Sequence, residues 1–361
     1  WLLLWRSFTH WIGGMGVLAL LYALLPYLEG YAPLLVVTEA PGPVKGKLAS
    51  KSNISARILY AIYFAITAAL FILLCAGGMS VFDSAIHTFG TVGTGGFSNQ
   101  ALSMSTYANP YFEIVITVFM LICSVNFNLY YLLILKRVRD VLKSDEVRWL
   151  LAIFAVSTAL ILISIYPQYG RIGTSLRLAA FQSGTAMSTT GYFTEDFSKW
   201  PILAQTVMFM LMIVGGSSGS TAGGFKVARI MLLFKAMKRG LKKALFPNLV
   251  EVVRLESKTV DEVSVQGAQT YLSVYLLIIL GSVFALSFDR YNFETNFLTV
   301  ISSVNNIGLC WGEIGATGNL AGFSALSKFV LMADMLLGRL EIFPLVLAFY
   351  VGAKRKSAHS R

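Results

Sequence analysis

Charged residues are scarce in this chain, and that scarcity decides its class. Asp, Glu, Lys and Arg make up 13% of the 361 residues, whereas 56% are hydrophobic and the mean hydropathy is +0.69. Soluble domains carry about 25% charged residues. The composition therefore excludes a soluble globular domain and predicts a single all-α polytopic membrane bundle.

Cysteine and histidine are also rare, and neither shows ligand spacing. The chain has three of each, with no CxxC or paired-His pattern: Cys75, Cys123, Cys310, His10, His87 and His359. This excludes a zinc site and a disulfide framework. No Ser/His/Asp, HExxH or paired-carboxylate cluster is present, so we expect neither an enzyme nor a cofactor.

Seven apolar runs are candidate membrane spans, and most are long enough for a tilted transmembrane helix. They are 11–28, 58–77, 111–135, 149–166, 201–234, 270–288 and 325–350. The fifth contains ten consecutive small residues, here called the small-residue segment: Gly215, Gly216, Ser217, Ser218, Gly219, Ser220, Thr221, Ala222, Gly223 and Gly224. Such a run forms a poor helix, so we expect this span to be broken in mid-membrane. A phosphate-loop interpretation fails, because Phe225 follows the run where GxxxxGK[ST] requires Lys.

Lysine and arginine are distributed asymmetrically between the two sides of these spans. Segments 45–57, 136–148, 226–258 and 354–361 together carry 22 of them, whereas 78–110, 166–200 and 288–328 carry 5. The first set is predicted to be cytoplasmic. The net charge of +11 is thus a topology signal rather than evidence for nucleic acid. The basic stretch Lys235–Lys243 could also contact anionic lipid or a partner.

Three short segments on the outer side share a plan of half-span helix, glycine-bearing turn and full span: 82–99, 176–195 and 297–312. Their turns are Val92, Gly93, Thr94, Gly95; Ser188, Thr189, Thr190, Gly191; and Asn305, Asn306, Ile307, Gly308. Irregular backbone at membrane depth survives where it lines a watery path. Glycine permits successive carbonyls to face one axis, where they can replace the water shell of a cation. We therefore predict a re-entrant pore with these twelve residues as its cation-binding filter.

A long-period repeat organises the chain. We predict that residues 1–30 are the second half of repeat 1, 31–57 a cytoplasmic loop, 58–137 repeat 2, 138–258 repeat 3 and 259–361 repeat 4. Four units around an axis make a pore, so three loops leave a gap in its wall. The chain starts at Trp1, and we expect its true N-terminus and first loop to be missing.

Several motifs, in order along the chain, resemble the TrkH branch of the Trk/Ktr/HKT potassium transporters. They are 5–16, 40–43, 94–97, 219–227, 303–308 and 338–344. The resemblance implies pseudo-fourfold span–pore-loop–span repeats around one pore, with the first repeat incomplete here. It also implies potassium as substrate, a homodimer in the bacterial cytoplasmic membrane and a cytosolic nucleotide-binding regulatory subunit of the TrkA type. Gly93 stands where relatives often have Ala, and Asn305-Asn306 replaces a Thr pair. Potassium preference remains the expectation.

The same resemblance implies that the small-residue segment is a gate and that Arg339 is a positive barrier beside it. A packing kink is the alternative for the segment. For Arg339 the alternative is an ion pair with Asp334 or Glu341. The predicted outer side carries six acidic residues and five basic ones. The acidic residues could concentrate cations, or they could be ordinary solvated loop charges. They are Asp83, Glu195, Asp196, Asp289, Glu294 and Glu313. Cation-coupled symport is the nearer functional alternative, and the sequence leaves open sodium exclusion, proton or sodium coupling, the gating ligand and the oligomer.

Overall fold

The computed structural model describes residues 1–16, 52–248, 251–255, 258–315 and 318–340, with backbone alone for 52–56 and 258. The predicted first span beyond residue 16, the motif 40–43, Glu341 and the last span beyond residue 340 lie outside the described residues. Within them the chain forms thirteen α-helices and one two-stranded hairpin. The all-α prediction is confirmed.

The helices follow one another along the chain with mostly short connections. They are α1 Leu2–Gly14, α2 Ser52–Ala76, α3 Val81–Val92, α4 Pro110–Ser124, α5 Phe127–Ile134, α6 Val138–Leu142, α7 Asp145–Tyr169, α8 Ile172–Met187, α9 Ile202–Val214, α10 Val227–Leu245, α11 Glu262–Leu286, α12 Phe293–Val304 and α13 Ala325–Arg339. The strands β1 Arg254–Leu255 and β2 Lys258–Thr259 pair antiparallel, with Leu255 opposite Lys258.

Three helices in the described part of the chain are long and apolar enough to cross a bilayer: Arg57–Ala76 within α2, α7 and α11. Each helix contains an apolar stretch of 18 residues, and only 28% of that stretch is buried inside the protein. Most of each helix therefore presents apolar side chains outward. Large exposed hydrophobic residues such as Ile72, Ile163 and Leu277 are each more than three-fifths exposed. Surfaces of this kind require lipid.

The predicted span 111–135 is wrong as a continuous helix. The structure divides it into α4 and α5, which are bent by 92° at Val125 and Asn126. Asn126 causes the break because its side-chain oxygen accepts from the backbone N–H of Asn128 at 2.9 Å and so starts a new helix. Together, α4 and α5 are long and apolar enough to form one broken membrane span.

The break predicted in the fifth span is present. Helix α9 ends at Val214, α10 begins at Val227, and the small-residue segment between them is irregular. Gly215 and Gly224 both have positive φ, 69° and 81°, and their Cα atoms are packed too closely to admit a Cβ. The segment is therefore a compact loop held by its glycines.

The three half-span helices α3, α8 and α12 end among buried residues, and polar side chains cap the starts of α3 and α12. Ser80 caps α3 by accepting from Asp83 N–H at 3.1 Å, and Asn292 caps α12 by accepting from Thr295 N–H at 2.8 Å. The last six residues of α8 are all buried. Each of these helices thus directs its partly negative C-terminal end toward the interior of the bundle.

Candidate functional site

The three turns that follow α3, α8 and α12 have one backbone conformation. We call them loop A (Gly93–Gly96), loop B (Ser188–Gly191) and loop C (Asn305–Gly308). In each, the first residue has helical φ and ψ, and the second is a non-glycine residue with φ of 55°. The fourth is a glycine with φ of 62°, 88° or 85°. Non-glycine residues at positive φ are uncommon and cluster at functional sites.

Backbone hydrogen bonds show the same correspondence. In each loop the third residue donates its N–H to the carbonyl five residues earlier: Gly95 to Gly90 at 2.7 Å, Thr190 to Thr185 at 3.0 Å and Ile307 to Ser302 at 2.9 Å. These bonds satisfy carbonyls at the end of each helix. The loops therefore continue their helices in one geometry, although their sequences differ.

This geometry shifts the sequence alignment of loop A by one residue. The pattern placed Val92 at the start of the turn and Gly95 beside Gly191 and Gly308. In the structure Val92 is the last helical residue, and Gly96 has the positive φ that corresponds to Gly191 and Gly308. The shift arises because the left-handed residue is Thr94, so the glycine that must follow two places later is Gly96.

Adjacent loops pack directly against one another. A Cβ on Gly96 would overlap the carbonyl oxygen of Thr190, and a Cβ on Gly191 would overlap that of Ile307. Gly308 has no atom within 4 Å of the corresponding position among the described residues. The order is therefore A against B and B against C, with the far side of Gly308 open in the described structure.

The small-residue segment bonds to two of the loops. Thr94 Oγ1 lies 2.8 Å from the carbonyl oxygen of Thr221 and 2.7 Å from that of Gly93, and it can donate to either. The N–H of Gly223 donates to Thr189 Oγ1 at 2.6 Å. Gly223 also lies so close to the carbonyl oxygen of Asn305 that a Cβ would overlap it. The equivalent left-handed residues of loops A and B thus both hold the segment.

Arg339 binds backbone carbonyls beside this segment. Its guanidinium donates to Thr221 at 3.3 Å, to Gly14 at 3.0 Å and to Gly13. Asp334 instead accepts from the hydroxyl of Ser282 at 2.8 Å. Arg339 therefore joins α13, α1 and the small-residue segment.

The break between α4 and α5 supports the other side of the segment, and sequence reasoning missed it. Ser217 N–H donates to Ser124 at 2.9 Å, and Phe127 N–H donates to Gly219 at 3.0 Å. Thr221 Oγ1 donates to the carbonyl of Cys123 at 3.2 Å. The signal in the sequence is Asn126, a strong helix-capping residue within an apolar run.

The sequence predicts no role for His10, yet this residue contacts loop A. Its Nε2 lies 2.9 Å from the carbonyl oxygen of Gly93. A carbonyl can only accept, so Nε2 carries the proton. The ring also meets Phe97 edge-on, with centroids 5.0 Å apart.

Loops A, B and C contain no carboxylates. Outside them, hydroxyl donors lower the pKa values of two aspartates, Asp196 and Asp289. The hydroxyl of Ser198 donates to Asp196 and lowers the pKa of that carboxyl. The hydroxyl of Ser327 lowers the pKa of Asp289, which also accepts from Ser324 N–H at 3.1 Å. In the part of the chain that the structure describes, no three His, Cys, Asp or Glu residues are grouped to hold a metal ion.

Comparison with known proteins decides the family. The family model described as TrkH, cation transport protein, matches residues 1–359. The chain belongs to the TrkH family. It is 32% identical over 352 residues to the Trk system potassium uptake protein TrkH of Salmonella typhimurium, covering 96% of this chain and 72% of the relative. It is 33% identical over 362 residues to the protein of the same name from Halomonas elongata, covering 98% and 74%.

The fold agrees with a solved TrkH structure. The crystal structure of the potassium transporter TrkH from Vibrio parahaemolyticus matches with a TM-score of 0.81 and 26% identity, covering 96% of this chain and 72% of that one. The predicted family is confirmed, and TrkH proteins are cation transporters rather than enzymes. The chain is accordingly a multi-pass protein of the bacterial inner membrane.

Proposed function

We propose that this protein takes up potassium through a filter formed by loops A, B and C. The printed names of the relatives describe potassium uptake, and the loops provide suitable chemistry. Backbone carbonyls can replace the water shell of a potassium ion without adding fixed charge. The helix ends beside the loops favour a cation, and no cofactor is needed. The observation that carries the proposal is the direct packing of Gly96 on Thr190 and of Gly191 on Ile307.

We further propose that the small-residue segment, with Arg339, is the gate. Support comes from its hydrogen bonds to Thr94 and Thr189, which place irregular backbone directly against two filter loops. A positive guanidinium bonded to Thr221 opposes the passage of a cation at the same point. Opening would require these bonds to break together, so the gate is coupled to the filter.

The test is potassium flux into liposomes that contain the purified full-length protein, driven by an imposed potassium gradient. We expect uptake of potassium in preference to sodium, without a second ion gradient. Equal fluxes of the two ions in a folded protein would reject the filter assignment. Absence of potassium flux altogether would reject the function.

Proton-coupled symport is a second candidate because of Asp334. This carboxyl is only 2% exposed within α13, and its Oδ2 has no hydrogen-bond partner among the described residues. Buried carboxylates within membrane helices are costly, and in pumps and transporters they mark proton relays. Asp334→Asn should abolish proton-driven uptake if symport operates. If the potassium uptake rate of the parent protein is the same with and without an imposed proton gradient, this candidate is rejected.

The proposed assembly is a homodimer with a cytosolic nucleotide-binding subunit of the TrkA type, in a lipid bilayer and without nucleic acid. The names of the relatives refer to a Trk system. On the cytoplasmic side, Arg239 pairs with Glu262 at 2.7 Å and Lys242 with Glu251 at 2.8 Å. The basic surface of α10 is therefore partly neutralised within the chain. Light scattering and co-purification with the regulatory subunit test the two interactions separately.

The five-part repeat division remains part of this proposal. Loops A, B and C support repeats 2, 3 and 4 by their common backbone conformation. The boundaries at 30, 57, 137 and 258 would be tested by limited proteolysis from the cytoplasmic side, which should cut in the predicted cytoplasmic segments.

A further inference from the structure

Loop A has glycine at two of its four positions where both of its counterparts have side chains. Gly93 corresponds to Ser188 and Asn305, and Gly95 corresponds to Thr190 and Ile307. Neither Gly93 nor Gly95 has the positive φ that favours glycine. The backbone conformation of loop A would therefore accept other residues at both positions, and something else must account for the glycines.

The imidazole of His10 fills the space in question. A Cβ built on Gly95 would overlap the ring at Cδ2 and Nε2, and one on Gly93 would lie 2.9 Å from Cδ2 and 3.0 Å from the carbonyl oxygen of Phe89. Phe97 borders the ring edge-on, and the guanidinium carbon of Arg6 lies 4.0 Å from the centre of the Phe97 ring. The position of the imidazole is thus fixed from two sides. A residue of α1 supplies to loop A the packing that loops B and C obtain from their own side chains.

The same ring also holds a carbonyl. His10 donates from Nε2 to Gly93, the first residue of loop A. Loops B and C are braced there by other means. In loop B the hydroxyls of Ser188 and Thr190 lie 2.6 Å apart, and in loop C Asn305 donates to the hydroxyl of Tyr275 at 2.9 Å.

We infer that His10 is a positioning residue of loop A, which orients the Gly93 carbonyl and replaces the missing side chain at position 95, and that ion selectivity depends on it. The inference rests on the proposed potassium filter and deepens it. A carbonyl in a filter discriminates between ions through its position and its field, and a donor fixed at 2.9 Å constrains both. The role requires the N–H and the volume of the ring. It does not require a change in its charge.

Because the His10 ring occupies the space beside Gly95, the effect of a substitution at one position should depend on the residue at the other. His10→Ala removes a hydrogen bond and leaves a space, so the potassium-to-sodium flux ratio should fall about tenfold. His10→Gln keeps a donor and should retain most of the ratio. Gly95→Ala should be damaging in the parent protein, where the new methyl meets the imidazole. In the His10→Ala background the same methyl has room and should cause no further loss, so the two changes are strongly non-additive.

The experiment measures rubidium and sodium uptake in liposomes for the parent, His10→Ala, His10→Gln, Gly95→Ala and the double variant. Thr9→Ala, an exposed neighbour on α1, is the matched control and should keep the parental ratio. Size-exclusion chromatography establishes that each variant is folded. A parental ratio in His10→Ala, or equal damage by Gly95→Ala in both backgrounds, overturns the inference while the parent still selects potassium. A parent that does not select potassium overturns the proposed function itself.

Discussion

Thr94 and Thr221 join the proposed filter to the proposed gate through one hydrogen bond of 2.8 Å. Arg339 donates to the same carbonyl at 3.3 Å, so Thr221 accepts from both sides. One peptide oxygen thus connects loop A, the small-residue segment and α13. Movement of the segment away from the filter must break both bonds.

Removing the guanidinium should open the gate. Arg339→Ala deletes the positive charge and its bonds to Thr221 and Gly14. We expect potassium flux without any regulatory partner to rise tenfold or more, as for the loss of the one charge-assisted hydrogen bond to the segment, about 1.5–3 kcal/mol. Liposome flux checks this, with Arg290→Ala in an outer loop as control. A folded variant that conducts no faster than the parent would leave the segment as a packing kink.

Removing the hydrogen bond between Thr94 and Thr221 should raise resting potassium flux less than Arg339→Ala does. Thr94→Val removes the hydroxyl that donates to Thr221 but keeps the shape of the side chain. The loss of one neutral hydrogen bond, about 1 kcal/mol, should raise resting flux up to fivefold. Thr94→Ser restores the donor and should behave like the parent. Identical resting flux in all three proteins would show that this bond does not hold the gate.

Side chains at the left-handed glycines should damage selectivity. Gly191→Ser places a Cβ at a φ of 88° and against the carbonyl of Ile307. The left-handed conformation alone costs about 1–2 kcal/mol for a residue with a Cβ. The potassium-to-sodium permeability ratio should therefore fall tenfold or more in the folded variant. Gly173→Ser on α8, where a Cβ has no neighbour within 4 Å, is the control and should leave the ratio unchanged.

The cap at the break between α4 and α5 should contribute to stability. Asn126→Ala removes the side-chain oxygen that starts α5, and lost caps cost about 1 kcal/mol of unfolding free energy. The thermal midpoint in detergent should fall, while Asn128→Ala, which keeps the cap, should leave it nearly unchanged. Equal midpoints for both variants would contradict a capping role.

An outer-loop contact should make stability depend on pH. The hydroxyl of Ser327 holds the pKa of Asp289 below its usual 3.8, so its contribution is fully present above that value. It is lost as the pH falls through the lower folded-state pKa. Ser327→Ala should reduce thermal stability at neutral pH, and the difference from the parent should vanish in strong acid. A difference that persists unchanged in acid would contradict this linkage.

The sequence predicts the helical membrane fold and the broken fifth span because both depend on local chemistry. Apolar runs and a ten-residue stretch of Gly, Ser, Thr and Ala have few structural alternatives in a membrane. The sequence does not predict the break at Asn126, because one polar residue hardly lowers the mean hydropathy of the apolar run around it. The structure adds that Ser124 and Phe127, on either side of the break, are hydrogen-bonded to Ser217 and Gly219.

The site is predicted less completely because two of its determinants are tertiary. Matching glycines by sequence pairs Gly95 with Gly191, whereas the backbone pairs Gly96 with it. Loop A contains three glycines, and only the fold distinguishes the one at positive φ from the two beside His10. His10 itself lies 83 residues from the carbonyl it contacts, so its spacing carries no signal.

The central claim is that loops A, B and C present carbonyls to one potassium ion, and anomalous diffraction from crystals soaked in rubidium tests it most directly. The account predicts a rubidium peak on the axis enclosed by the three loops, with carbonyl oxygens of each loop at about 3 Å, the range of direct oxygen contacts to a desolvated cation. It also predicts that the peak weakens in Gly191→Ser. A peak located only elsewhere in the protein, or carbonyls of these loops directed away from it, would contradict the account.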